Sequence, residues 1–408
     1  MRELSYPKNK INVLLLEKVD KIAFDLFKEE GYNVESLDGS LSEKDLIKKI
    51  KDVSILGIRS KTIISDKVIK SANKLLAIGA FCIGTNQIKF ESCNDSGIVV
   101  FNAPYSNTRS VVEIVIAQII NLMRKIVIKS NKMHSGVWRK DSLDSFEIRN
   151  KVIGIVGYGN IGSQLSVICE ALGMKVLYYD IVDKLSIGNA KKCKSLNDLL
   201  KNSDIVSLHV DGKKSNTNLI SDKEFSIMKE KSILVNYSRG NVVDIDSLIK
   251  NIKSKKIMGA ALDVFPEEPS NNKEKFKSKV KGIEEIILSP HIGGSTKEAQ
   301  KNIGSYVPDK IIDFINSGNT SSSVNFPKLS LPEQSDSHRL IHIHKNQPGV
   351  MLKINKIISE YNINIKGQYL KTNEEIGYVI TDIDSVYNKE VVKSLKNIPA
   401  TIKLRVLY

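Results

Sequence analysis

The sequence predicts an α/β protein with two parallel-sheet domains and a smaller C-terminal βαββαβ module. Three observations carry this. From Ile11 onward, short apolar runs alternate with amphipathic stretches, the pattern of βαβ units. A second and longer series of the same kind begins with KVIGIVGYGNIG at Lys151. After a stretch rich in Ser, Pro and Asn, about seventy residues alternate as strand, helix, strand, strand, helix, strand, the ferredoxin-like split motif. A chain of 408 residues also has the length for two or three domains at roughly 150 residues each.

In the first series, INVLLLE is followed by a helical pattern to Glu30 and then by the apolar runs SILGIRS, LLAIGA and GIVVFNAP. A single long helix is expected from Arg109 to about Met133. The second series offers KVIGIV, MKVLYYD, SDIVSLHV, KSILVNYS, KIMGAALDV and EEIILSPH as strands of a Rossmann-like sheet. Ser295 to about Ile315 reads as a further helix, and SGNTSSSVNFPKLSLPEQSD as a linker. The terminal strands come from HRLIHIHKN, INIKGQYLKT, EIGYVITDID and ATIKLRVL. The expected division is residues 1–107 with 298–330, residues 108–297, and residues 338–408.

Composition narrows the function classes. The chain is 41% hydrophobic and 26% charged, so it can fill several cores. Its net charge of +15 attracts anions, which include phosphorylated metabolites as well as nucleic acid and anionic lipid. The excess is lysine spread along the chain, with no arginine-rich arm interleaved with aromatics, and so favours compositional bias over a nucleic-acid footprint. The densest stretch, Lys273 to Lys281, reads as a solvated loop. Cys82, Cys93, Cys169 and Cys193 form no CxxC pair and no metal-ligand spacing, so reduced thiols in a cytoplasm, without a metal, are expected. MRELSYPKNK lacks the apolar stretch of a signal peptide, and Val111 to Met123 is interrupted by Glu113, Gln118 and Asn121. No membrane span is expected.

Gly157, Gly159 and Gly162 form GYGNIG between the apolar run KVIGIV and the helical stretch NIGSQLSVICEAL. In that context the first glycine allows a tight turn, the second lets a pyrophosphate approach the backbone, and the third lets helix pack on strand. The helix N-terminus then presents free N–H groups and its positive dipole end to phosphate. MKVLYY ends in Asp180, a carboxylate spaced to reach the adenosine ribose hydroxyls and to repel a 2′-phosphate. The cofactor expected is NAD.

Further along, Arg239 follows ILVNYS, Glu268 lies beyond AALDVF, and His291 follows IILSP. Ligands of open α/β sheets sit outside the carboxyl ends of the strands, where three such residues can converge. Taken singly, Arg239 is equally a surface cation, Glu268 a loop carboxylate and His291 a satisfied polar residue.

In order and at similar spacing, VGYGNIG with Asp180, NYSRG with VVD, ALDVFPEEP and SPHIGGSTKEAQ resemble the D-isomer-specific 2-hydroxyacid dehydrogenases. FNAPYSNTRSVVE, HSGVWRK, HIHKNQPGV and NINIKGQYL resemble the branch of that family that opens L-serine biosynthesis and ends in an ACT domain. The resemblance covers essentially the whole chain. It implies NAD-dependent oxidation of 3-phospho-D-glycerate to 3-phosphohydroxypyruvate by a homotetramer, with L-serine as a feedback effector and neither nucleic acid nor membrane as partner.

The resemblance makes His291 the base for the hydroxyl proton, a task suited to an imidazole of pKa about 6.5. Glu268, rather than the adjacent Glu267, becomes the carboxylate that orients it, and Arg239 the grip on the substrate carboxylate. To the glycine loop and Asp180 it adds Asn160, Ile161, His209, Val210, Ser238, Asp263 and Gly294 as cofactor residues. Arg59, Ser60, Lys61, Asn107 and Lys140 are assigned to the substrate, and His344, Asn346 and Asn364 to the effector. Trp138 falls in a segment that inserts into the neighbouring subunit. The chain departs from the family at HVDGKKSN, where Asp211 and Gly212 replace the usual proline, and a looser, more negative loop beside the cofactor is expected. Action on another 2-hydroxy acid such as 2-hydroxyglutarate, or a dinucleotide sensor without turnover, stays open at this stage.

Overall fold

The wholly apolar runs become the central strands of two parallel sheets, because a strand covered on both faces has no need of polar alternation. The structure, a computed structural model, describes residues 7–269, 273–331, 337–384 and 389–407. Residues 1–6 of the leading segment and 332–336 of the expected linker lie outside these. Contacts divide the chain into two compact units, residues 1–106 with 300–408 and residues 107–299.

The first unit opens with a parallel sheet of β1 (Asn12–Leu15), β2 (Asn33–Ser36), β3 (Ile55–Ile58), β4 (Ala77–Ala80) and β5 (Val99–Asn102), in the order β2-β1-β3-β4-β5. β3 and β4 are buried throughout. β2, which the search for apolar runs does not find, buries only Val34 and closes one edge.

The second unit carries a seven-stranded sheet. Its strands are β6 (Val152–Val156), β7 (Lys175–Tyr179), β8 (Lys191–Lys192), β9 (Ile205–Leu208), β10 (Ser232–Asn236), β11 (Ile257–Leu262) and β12 (Ile286–Leu288), in the order β12-β11-β10-β9-β6-β7-β8. All the paired registers are parallel, so the carboxyl ends lie along one edge. β8 adds an exposed two-residue edge strand too short and polar to leave a sequence signal.

The single helix expected from Arg109 to Met133 is two helices, Thr108–Arg124 and Ile126–His134. Lys125 between them has φ 52°, the left-handed geometry that ends a helix. Its Nζ pairs with Asp144, which also takes Lys231. The physical reason for the break is burial: the first helix sinks Val111, Val115, Ile119 and Leu122 into the core, whereas the second buries nothing.

The first unit also holds the antiparallel sheet of β13 (His338–Lys345), β14 (Ile365–Thr372), β15 (Ile376–Ile383) and β16 (Thr401–Leu407), ordered β14-β15-β13-β16. Helices Val350–Glu360 and Lys389–Lys396 cover one face through Ile354, Ile358, Val391 and Leu395. Ile341, Ile343, Tyr378 and Ile380 on the other face join the core formed by Val13, Phe101, Phe314 and Phe326. The module therefore shares its core with the first sheet.

The expected linker is, over residues 319–331, a packed strap. Val324 N–H donates to Val100 O at 2.8 Å, and Val100 N–H donates to Asn325 Oδ1 at 2.8 Å, as on a strand edge. Thr320, Ser323, Asn325 and Phe326 are buried. Ser, Thr and Asn serve here as hydrogen-bonding partners for backbone, which composition alone cannot tell from solvation.

Arg339 ties the module to the end of the helix Lys297–Ser317, just ahead of the strap. Its guanidinium, 4% exposed, holds Asp382 by two bonds of 2.8 and 3.0 Å and donates a third to Ser317 O. Removing one partner of a buried pair costs about 3–5 kcal/mol, because the other is stranded. Arg339→Leu and Asp382→Leu should each lower the urea midpoint, and the double variant should recover part of the loss. Additive losses would show that the two charges act independently.

Candidate active site

The glycine loop sits where β6 meets the helix Asn160–Ala171. Gly157 has φ 92°, and a Cβ there would stand 2.4 Å from His209 O, so only glycine fits. A Cβ on Gly162 would lie 2.2 Å from Gly157 O, which fixes the close seat of helix on strand. Beside Gly159 the space is open, with nothing within 4 Å of a built Cβ. Asp180, just past β7, accepts from Tyr158 N at 2.7 Å and Val182 N at 2.9 Å, so its carboxylate is fixed against the loop. His209 Nε2 meets Ser207 Oγ at 2.9 Å, while its buried Nδ1 finds no partner in the protein. Burial pushes its pKa down to about 4, which keeps the ring neutral. An open glycine face, a helix N-terminus and an orphaned buried ring nitrogen fit a dinucleotide.

Three loops leave the carboxyl edge at β10, β11 and β12. Asn236, buried at the end of β10, accepts from Ser238 N and Oγ and donates to Arg239 O at 3.0 Å. The next residue, Gly240, lies so close to Phe265 that a Cβ would fall 2.0 Å from its carbonyl. The Arg239 turn is thereby pressed onto the segment carrying Glu268. Glu268 Oε1 accepts from Phe265 N at 3.0 Å and Oε2 meets His291 Nδ1 at 2.7 Å.

His291 has φ 53°, rare for a residue with a Cβ. Asp263 sustains it. The Asp263 main-chain oxygen accepts from His291 N at 2.8 Å, and its carboxylate accepts from Ser289 Oγ, Ile292 N and Gly293 N at 2.6, 2.9 and 2.8 Å. Asp263 is 2% exposed. The family resemblance assigns Asp263 to the cofactor; in the structure its oxygens shape the histidine loop. Asn236, Ser289 and Gly240 are supporting residues the sequence reading missed; a polar residue closing an apolar strand was the signal for the first two, and the glycine after Arg239 for the third.

The hydrogen bond to Glu268 raises the His291 pKa; burial and Arg239 work against it, and the charges of Glu268 and Asp263 add to it. Burial pushes Glu268 up, but the bonds from His291 and Phe265 N and the charges of His291 and Arg239 leave it below the usual carboxylate range. Arg239 Nη1 also donates to Ser238 O at 2.6 Å.

The other expected residues divide between the units. Arg59, Ser60 and Lys61 follow β3 in the first unit, and Ser60 and Lys61 are exposed. Asn107 belongs to the second unit, where its side chain abuts Gly294 and its Oδ1 is buried without a partner. Lys140 is exposed, near a Trp138 that is 77% exposed. The loose, more negative loop expected at Asp211 is a tied one: Asp211 pairs with Lys213 at 3.2 Å and is bonded by Lys213 N and Asn216 Nδ2. A side chain that accepts from its own loop replaces the rigidity of the missing proline. In the C-terminal module, His344 is buried with Nε2 unpartnered, Asn346 donates to Asn373 O at 2.8 Å, and Asn364 is exposed. Among the described residues no cluster of His, Cys, Asp and Glu suits a metal, and no helix is long and apolar enough to cross a membrane.

Residues 116–293 match the model of the D-isomer specific 2-hydroxyacid dehydrogenase NAD binding domain, and residues 340–403 the AHAS small subunit-like ACT domain. The chain is 49% identical over 404 residues to the D-3-phosphoglycerate dehydrogenase of Dictyostelium discoideum, covering 99% of both. The chain belongs to the D-3-phosphoglycerate dehydrogenases. To the D-3-phosphoglycerate dehydrogenase of Escherichia coli strain K12 it is 47% identical over 411 residues, with 100% of each chain covered. Among solved structures, a D-lactate dehydrogenase with NAD+ from Lactobacillus jensenii superposes with a TM-score of 0.67 at 28% identity, over 77% of this chain and 99% of that one. Like other D-3-phosphoglycerate dehydrogenases, this chain is an NAD-dependent oxidoreductase.

The carboxylate that raises the imidazole pKa can be tested directly. In Glu268→Gln, the His291 ring should titrate at lower pH than in the unmodified protein, read by NMR with His291→Asn for assignment. An unchanged midpoint would remove Glu268 as the cause.

Proposed function

We propose that this chain oxidises 3-phospho-D-glycerate at its hydroxyl-bearing carbon to 3-phosphohydroxypyruvate, the opening step of L-serine synthesis, with His291 as the base. The observation that carries this reading is the 2.7 Å bond between Glu268 and His291 at the carboxyl edge of a dinucleotide-binding sheet. NAD, when bound, supplies the nicotinamide that accepts the hydride. The bond at Nδ1 leaves His291 Nε2 to take the hydroxyl proton, and the Glu268 charge stabilises the imidazolium that results. Arg239 pairs with the substrate carboxylate and polarises the forming carbonyl through its planar fork. The proton balance sets the pH dependence. A raised His291 pKa means that oxidation needs pH above it, while reduction draws on the protonated ring below it.

The same reading gives the glycine loop with Asn160 and Ile161, and Asp180, His209, Val210, Ser238, Asp263 and Gly294, to NAD. Arg59, Ser60, Lys61 and Asn107 go to the phosphate-bearing end of the substrate, and Lys140 acts beside Trp138 at a neighbouring subunit of a homotetramer. Residues 1–107 with 298–330 form the substrate domain, residues 108–297 the NAD domain and residues 338–408 the effector domain. His344, Asn346 and Asn364 hold L-serine, which inhibits by binding a less competent arrangement more tightly. Cys82, Cys93, Cys169 and Cys193, none in a disulfide, fit a reducing cytoplasm.

Two assays test the reading. NADH oxidation should be faster with 3-phosphohydroxypyruvate than with hydroxypyruvate or 2-oxoglutarate, and His291→Asn and Arg239→Ala should each lower kcat/KM about 10²-fold or more. Preference for 2-oxoglutarate would overturn the substrate, and full activity of His291→Asn would overturn the base. Inhibition by millimolar L-serine should vanish in Asn346→Ala and Asn364→Ala while turnover persists. An unmodified enzyme indifferent to serine would end the regulatory assignment alone.

A further inference from the structure

A buried carboxylate lies behind the loop that carries Arg59, Ser60 and Lys61. Glu17 is 7% exposed, and it takes no part in an ion pair among the described residues. Its Oε1 accepts from Arg59 N at 3.2 Å and Thr62 N at 2.8 Å, and its Oε2 from Lys61 N at 3.0 Å. Three amides of one loop, those of Arg59, Lys61 and Thr62, thus converge on one charge, the arrangement that makes a buried carboxylate tolerable.

The surroundings hold this geometry from both sides. Glu17 and Lys18 have φ of 64° and 53°, so two neighbouring residues adopt the left-handed region that side chains resist. Glu17 N is bonded to Gly39 O and Lys18 N to Leu37 O, which keeps the bend in place. From the opposite side, Gln87 Nε2 donates to Arg59 O at 2.7 Å and to Gly84 O at 3.3 Å. The loop is therefore clamped at its amides by Glu17 and at its first carbonyl by Gln87. With three of its amides turned onto the carboxylate, the loop is left its side chains to meet a ligand. The exposed side chains are those of Ser60 and Lys61, with Arg59 half-buried.

We infer that Glu17 is a positioning residue for recognition of the substrate phosphate, acting by fixing the backbone of the Arg59–Thr62 loop. The inference rests on the proposed assignment of Arg59 and Lys61 to that phosphate. β1 and β3 are neighbours in one parallel sheet, so Glu17 and the loop emerge side by side at its carboxyl edge, where such sheets meet ligands. A residue in this place changes how well a phosphorylated substrate is held, and leaves the proton and hydride chemistry on the other sheet untouched.

The test compares kcat/KM for 3-phosphohydroxypyruvate and for hydroxypyruvate, with NADH, in the full-length enzyme. Glu17→Gln keeps the side-chain shape but loses the charge and one acceptor oxygen. A lost hydrogen bond to a charged group is worth about tenfold or more. In Glu17→Gln, the preference for the phosphorylated substrate should therefore fall about tenfold through KM, with kcat, the hydroxypyruvate constants and the NADH KM holding. Arg59→Ala and Lys61→Ala, measured alongside, separate the two readings. If they reduce the preference and Glu17→Gln does not, the positioning role is overturned and the phosphate loop stands. If they leave it unchanged, the loop assignment itself fails. An equal loss toward both substrates in Glu17→Gln, with a lowered melting temperature, would make Glu17 a purely structural residue and overturn the proposal.

Discussion

The carboxylate of Asp263 is the interaction on which the candidate active site depends. It is buried at the end of β11, has no cation within ion-pair distance among the described residues, and spends its lone pairs on a hydroxyl and two amides of the loop after β12. Those bonds, with the one from His291 N to its own carbonyl, supply the enthalpy that keeps a histidine in a left-handed backbone. Without them the imidazole would have no reason to face Glu268. The orientation of the candidate catalytic imidazole is thus set from behind its own loop.

The same economy of construction recurs at β10, where one buried asparagine shapes the arginine turn, and at β1, where one buried glutamate shapes the loop after β3. In each case a buried polar side chain at or just past the end of an apolar strand ties down a loop at the sheet's carboxyl edge, its own at β10 and a neighbouring strand's at β1 and β11. The strands themselves are interchangeable scaffolding. Their carboxyl termini carry the information.

Much of this was legible in the sequence, for physical reasons that also explain the omissions. The glycine loop could be read because Gly157 and Gly162 answer steric demands that no other residue meets, and Gly159 leaves the open face a pyrophosphate needs. Arg239, Glu268 and His291 stood at strand ends, but their coming together depends on Gly240 lying against Phe265 and on Asp263, contacts across sequence that no local pattern encodes. The helix break at Lys125 was invisible because helical periodicity runs through it; only the loss of a burying face marks it. The strap was misread because Ser, Thr and Asn look alike whether they bind water or a neighbouring backbone. At Asp211 the departure from the family pattern was visible, while the compensating bonds from Lys213 and Asn216 were not.

The shared core of the first sheet and the C-terminal module bears on how such enzymes gain and lose their terminal modules. Tyr378 donates to Gly318 O at 2.6 Å and packs edge-on against Phe326, and the Arg405 guanidinium lies 4.8 Å over the Phe314 ring. A gene fusion that swapped this module for another at the strap would leave Phe314 and Phe326 facing water and Ser317 without its guanidinium. Recombination at that joint is therefore penalised unless the incoming module carries a matching underside. Lineages built on this arrangement should inherit module and scaffold as one unit.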